Sequence, residues 1–236
     1  MVRDKVRIRF RKTGALRLIS HHDLMRCFER MLRRAALPFH STEGFNPKPR
    51  LVFAMPLPLG VIGCAEVAEL ELDDELPAEE VRDRLARQAP PGLEILSARR
   101  IDGKVTAHVR KVCYRVALPD EHKANLEEAI AALVAAPACW VERRRPRVRR
   151  IDVRPYLHGV RLLSGALEVE VLVTPGGTAR PEDYMQFLGL GDLLEAGAVF
   201  ERTVMELEDE SNEERDVDQC IAARGMPDRH RRGRHP

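Results

Sequence analysis

The chain has 236 residues with a net charge of +2; 44% are hydrophobic, 32% charged and only 5% aromatic. That is enough for one large globular domain or two small ones, and so few aromatics argue against extensive base-stacking platforms. The five cysteines (Cys27, Cys64, Cys113, Cys139, Cys220) are widely spaced without a C-x-x-C pair, which argues against a disulfide framework and against a local thiolate site for zinc or an iron–sulfur cluster.

The small net charge hides segregation. Residues 1–50 carry thirteen Lys/Arg against four Asp/Glu, whereas residues 66–83 carry nine acids against Arg82 alone. Residues 143–154 are basic again and 206–218 acidic. Blocks of this kind set up local fields that the total does not reveal. The charged N-terminus does not read as a signal peptide and no apolar run approaches a membrane span, so a cytoplasmic protein with no membrane contact is expected.

Lys5 to Arg11 alternates, with Val6, Ile8 and Phe10 on one face and Arg7, Arg9 and Arg11 on the other. This predicts a half-buried strand with a basic open face. Ser20, with Asp23 three residues on, starts a helix whose buried stripe is Leu24, Phe28, Met31 and Ala35. Arg26, Arg30, Arg33 and Arg34 fall on its other faces. In Gly44-Phe45-Asn46-Pro47-Lys48-Pro49-Arg50 the glycine permits positive φ, Asn46 can bond its own backbone and the prolines stiffen the path. Such a loop is a candidate for holding a partner or ligand through Gly44, Phe45, Asn46 and Pro47.

Strands follow at Leu51–Ala54, Ala65–Asp73 and Leu93–Ile101, with a helix over Ala78–Gln88. The order is β-α-β-β-α-β, and it recurs. Val109–Leu118 is a strand and Asp120 caps a helix through Ala136. An Arg-rich extended stretch then leads to a hairpin around Ser164-Gly165, a short helix from Pro181 and a last strand at Val199–Leu207. The expected fold is α+β, two tandem ferredoxin-like β-α-β-β-α-β units with antiparallel sheets. The units span residues 1–102 and 108–207, and residues 208–236 form a disordered charged tail.

His21-His22-Asp23 is the densest set of catalytic residue types, with His40 a third candidate. Adjacent helical residues diverge by about 100°, so His21 and His22 do not aim at one small target from a regular turn. Cys27 borders the buried stripe as a core thiol, while Cys64 follows Gly63 in an expected exposed loop. No metal ligand set and no cofactor is expected. The arginines are the stronger signal, because guanidinium forks suit phosphate. Arg7, Arg9 and Arg11 on the open sheet, with Lys48 and Arg50 at the loop edge, are the expected nucleic-acid contacts, and the helix arginines are expected to stand apart from them.

Ser20-His21-His22-Asp23-Leu24, Gly44-Phe45-Asn46-Pro47-Lys48-Pro49 and Phe53-Ala54-Met55-Pro56-Leu57-Pro58-Leu59-Gly60, with Glu66 beyond, resemble the radical SAM-linked protein family. These domains lie beside, or fused behind, a cobalamin-binding-type radical SAM protein. The resemblance covers roughly residues 3–205, with its motifs in the first half. It implies a radical SAM protein as partner and supplies no catalytic residues. An accessory, non-catalytic role binding or presenting RNA or a ribonucleoprotein is therefore expected. An RNA-processing or hydrolytic enzyme using His21, His22 or His40, and a purely structural interaction module, are the alternatives. The helix and loop are also similar, at the level of fold, to RNA-binding ferredoxin-like proteins such as the CRISPR repeat-processing endonucleases.

Overall fold

A computed structural model describes residues 4–143 and 148–210. The first half contains strands β1 (Asp4–Lys12), β2 (Leu51–Phe53), β3 (Ile62–Leu72) and β4 (Leu93–Ile101), with helices α1 (His21–Arg34) and α2 (Ala78–Ala86). The second contains β5 (Val109–Ala117), α3 (Leu126–Ala135), β6 (Trp140–Arg143), β7 (Arg149–Asp152), β8 (Leu157–Leu163) and β9 (Ala166–Thr174). It closes with β10 (Gly177–Thr178), α4 (Glu182–Met185), α5 (Gly191–Glu195) and β11 (Phe200–Leu207). Among the described residues no helix is long and apolar enough to cross a membrane.

Nine strands form one mixed, mostly antiparallel sheet in the order β10-β9-β5-β11-β3-β1-β4, with β2 also on β3 and β8 also on β9. This corrects the expectation of a separate antiparallel sheet for each half. The join is a parallel pairing of Glu201 with Ile62 and Arg202 with Gly63. The reason lies in β2, whose three residues cover only Leu70 to Ala68 of β3. The Ile62 end of that edge would otherwise present unpaired backbone groups, and β11 takes them up.

Alternation along β1 places Val6, Ile8 and Phe10 against α1, where they are at most 1% exposed and pack with Leu24, Phe28, Met31 and Leu32. Phe10, Phe28 and Phe53 meet edge to face at 5.0–5.7 Å between ring centroids. Each such contact adds about 0.5–1.5 kcal/mol to area burial. Ser20 caps α1 as expected, its hydroxyl accepting from the Asp23 amide at 3.2 Å. A second core gathers Val112, Tyr114, Val116, Leu133, Tyr184 and Met205, and it recruits Leu57 and Val61 from the loop after β2.

Two expected elements differ. The helix predicted from Asp120 begins only at Leu126, because Asn125 takes the left-handed conformation (φ 60°) and separates it from a short 3-10 turn over Asp120–His122. The tail expected from Glu208 is ordered at its start, since Asp209 and Glu210 return to bind β1. Residues 211–236 of that segment lie outside the described residues.

Candidate nucleic-acid interface

The basic residues of β1 are not on an open surface. Arg7, Arg9 and Arg11 are 1%, 4% and 7% exposed, which corrects their assignment as phosphate contacts. Arg7 donates from Nε and Nη2 to Glu69 Oε1 (3.0 and 2.8 Å) and from Nη1 and Nη2 to Asp209 (3.0 and 2.8 Å). Arg9 reaches both Glu210 oxygens at 2.6 Å, and Arg11 reaches Glu94 at 2.9 Å. Lys5 donates to the Val105 carbonyl at 2.6 Å and forms an ion pair with Glu69 at 2.7 Å. Burial, which alone would lower the Arg7 pKa, is outweighed by Asp209 and Glu69, and the group ends above its usual value. Alternation shows which side chains share a face, but whether that face is wet depends on acids up to 202 residues away in sequence.

The exposed positive surface lies on α1. Arg26, Arg30, Arg33 and Arg34 are all exposed, in an i, i+4, i+7, i+8 stripe opposite the buried one. The Gly44 loop joins this surface instead of the sheet. Arg33 Nη2 donates to the Pro47 carbonyl at 3.4 Å, and its guanidinium lies 5.5 Å from the Phe39 ring centroid. The loop is closed by the Thr42 amide donating to the Lys48 carbonyl (2.8 Å) and the Lys48 amide donating to Thr42 Oγ1 (3.1 Å). Thr42 therefore supplies the side-chain bond expected of Asn46. Gly44 takes the positive φ (121°) expected of it. Phe45 stands at the tip, fully exposed (104%), with Asn46, Pro47 and Lys48 exposed beside it. Arg50 is exposed and faces Glu71 at 3.8 Å.

The three candidate histidines do not converge. His21 is half-buried, its ring 5.3 Å from Phe53 in an edge contact, and His22 is exposed with its ring 6.2 Å from His21. Burial, then His22 and Lys12, hold the His21 pKa below its ordinary value, so it is neutral at neutral pH. His40 is engaged elsewhere, with Nδ1 2.6 Å from Asp73. Asp73 lies five residues along from Ala68, the partner of Phe53, which is roughly 17 Å of extended chain.

Between the two cores lies a polar network that sequence reasoning missed. Arg202 is wholly buried and grips Glu66 through Nε (2.9 Å) and Nη2, and it also donates to the Pro56 (3.2 Å) and Met55 (3.4 Å) carbonyls. Lys12, 1% exposed, bonds the Ile19 carbonyl at 3.2 Å. Burial lowers the Lys12 pKa, and Glu66 partly opposes that shift. Arg202 thus ties the proline-bounded loop after β2 to β11. The signal in the sequence was a lone basic residue in the middle of the final strand, Phe200–Leu207. Cys64, expected in an exposed loop, is instead buried in β3, and its thiol is pushed up to about 12 chiefly by burial.

Among the described residues, one group of metal-ligand types converges: Cys113, Glu168 and Glu170, with donor atoms within 4.8 Å of one another. Its chemistry does not suit a cation. Arg115 and Arg161 already neutralise Glu168, Lys111 and Arg161 neutralise Glu170, and burial pushes the Cys113 thiol up to about 12.

Residues 5–181 match the bacterial family described as "uncharacterized protein conserved in bacteria" (DUF2344), and the chain belongs to it. That description names neither a reaction nor a partner. Among curated proteins none matches. A similar solved structure is that of an unknown protein from Galdieria sulphuraria, 13% identical, with 87% of this chain and 98% of that one covered and a TM-score of 0.26. At that score the likeness carries no argument.

Proposed function

We propose that this member of the family is a non-catalytic accessory protein that binds RNA through α1 and the Gly44 loop and presents it to a radical SAM enzyme. One observation carries the RNA part: the exposed stripe Arg26, Arg30, Arg33 and Arg34 runs into a loop bearing a fully exposed Phe45 and Lys48. An aromatic tip beside guanidinium forks suits stacking on a base while the forks hold phosphates. The radical SAM partner rests on the sequence resemblance alone. The strand orders β4-β1-β3-β2 and β8-β9-β5-β11 support reading each half as a ferredoxin-like unit, 1–102 and 108–207, whose sheets have merged. The separation of His21 from His40 weighs against a hydrolytic reading.

The test is fluorescence anisotropy with a labelled single-stranded RNA over a salt series. Arg30→Gln, Arg34→Gln and Lys48→Gln combined should weaken binding and flatten the salt slope by about 0.7 per lost contact, or about 2 in all. Phe45→Ala should weaken binding with little change of slope. Wild-type affinity in the triple variant, or no RNA binding at low salt, would overturn the assignment. If the neighbouring radical SAM protein does not co-purify at micromolar concentration, the accessory role falls on its own.

A further inference from the structure

The ribbon formed by β6 and β7 stands apart from the main sheet. Its base is held firmly. Asp152 Oδ1 accepts from the Cys139 amide at 2.7 Å and the Arg154 amide at 3.0 Å, and the Val153 amide donates to the Cys139 carbonyl at 2.8 Å. The register Trp140↔Asp152, Val141↔Ile151, Glu142↔Arg150, Arg143↔Arg149 divides the side chains between two faces. The inner face carries Val141, which is buried, and Arg143, which binds Asp183 at 2.5 Å. The outer face carries Trp140 and Arg150, with the guanidinium 5.2 Å from the indole centroid.

Trp140 is the only tryptophan in an aromatic-poor chain, and it is 53% exposed. Arg150, on the same face, braces the ring. Glu142 and Asp152 share the outer face, so it is not a simple cationic patch. Its distinctive offer is a supported flat apolar surface near the anchored base of the ribbon, with the Arg150 guanidinium close by. Every nucleobase has a π-face that stacks on such a ring.

We infer that Trp140, braced by Arg150, is a stacking contact for a base of single-stranded RNA, a second contact beyond α1 and the Gly44 loop. The inference rests on the RNA reading above, and Trp140 emission separates the two, since Phe45 too is a stacking contact. A stacking contact moves affinity without moving the salt dependence, whereas phosphate contacts move both.

The single tryptophan supplies a direct readout. Titrating the whole chain with oligouridylate should quench Trp140 emission, with saturation at the concentration where anisotropy of the same labelled RNA saturates. Trp140→Ala should weaken binding about 5- to 100-fold with the salt slope unchanged. Trp140→Phe should retain most of the affinity, and quenching should persist in the Arg30/Arg34/Lys48 triple variant at higher RNA concentration. RNA binding by anisotropy with no quenching, and with Trp140→Ala equal to wild type, would overturn the Trp140 contact and leave the α1 surface standing. Absence of any RNA binding by anisotropy would overturn both. Quenching is read on the wild-type chain, so a poorly folding variant does not blunt the test.

Discussion

Gly63→Ala isolates the buried polar join between the two cores. A Cβ built at Gly63 falls 2.5 Å from Glu66 Cγ, 2.8 Å from Oε1 and 2.9 Å from Cδ. The clash involves the root of the Glu66 side chain, so turning its far end does not relieve it. Glu66 must leave, and Arg202, with no exposed surface, loses its counter-charge. Breaking a buried pair costs about 3–5 kcal/mol. Alanine offsets about 0.4–1 kcal/mol of this by restricting the unfolded chain, for a net loss of about 2–4 kcal/mol. At about 2–4 °C per kcal/mol for a chain of this size, Tm should fall about 4–16 °C. Glu66→Ala should cost about 3–5 kcal/mol by the same loss of pairing. The double variant separates this account from a general loss of packing. With the Glu66 side chain gone, the methyl introduced at position 63 has room, so Gly63→Ala/Glu66→Ala should cost no more than Glu66→Ala alone, where additivity would give about 5–9 kcal/mol. Urea unfolding followed by circular dichroism measures all three. Gly159→Ala, with no heavy atom within 4 Å of the new methyl, is the control. A Gly63→Ala cost under about 0.5 kcal/mol, or additive costs in the double variant, would refute the reasoning.

Arg7→Gln should destabilise by about 3–5 kcal/mol, because Glu69 stays buried and loses a partner, while RNA affinity of the folded fraction stays unchanged; a weaker affinity with full stability would restore Arg7 as a contact. Acidification should remove stability in two stages. His21 is held below its ordinary value, so its contribution is present above about pH 6.5 and lost as pH falls through the folded value; Asp209 and Glu168, also depressed, contribute above about pH 4 and lose that below it. Denaturation midpoints against pH should lose the first stage in His21→Gln and shrink the second in Asp209→Asn. Gly44→Val should cost about 1–3 kcal/mol through strain at φ 121°, and Thr42→Val about 1 kcal/mol through the lost Lys48 bond, both read by thermal melting. With Cys220 replaced by serine, a thiol reagent at pH 8 should react with the native protein far more slowly than with the unfolded one, since Cys27, Cys64, Cys113 and Cys139 are all buried and held above their usual pKa.

Local order was legible in the sequence because local rules govern it. The alternation of Val6, Ile8 and Phe10 found the core face of β1, the Ser20–Asp23 pair found the start of α1, and Ser164-Gly165 found the β8–β9 turn. Gly44 announced its positive φ, because only glycine takes that conformation without strain. The environment of the charges was not legible. Period-2 patterning put Arg7, Arg9 and Arg11 on one face, but the Asp209 and Glu210 carboxylates that meet Arg7 and Arg9 lie about two hundred residues away, and the Glu94 that meets Arg11 lies 83 away. The merging of the sheets was equally hidden, since it depends on how much of β3 a three-residue β2 leaves unpaired. The candidate interface therefore moved from strand to helix: a stripe of arginines looks the same in sequence whether or not acids come to meet it, and only the tertiary structure decides which stripe stays in water.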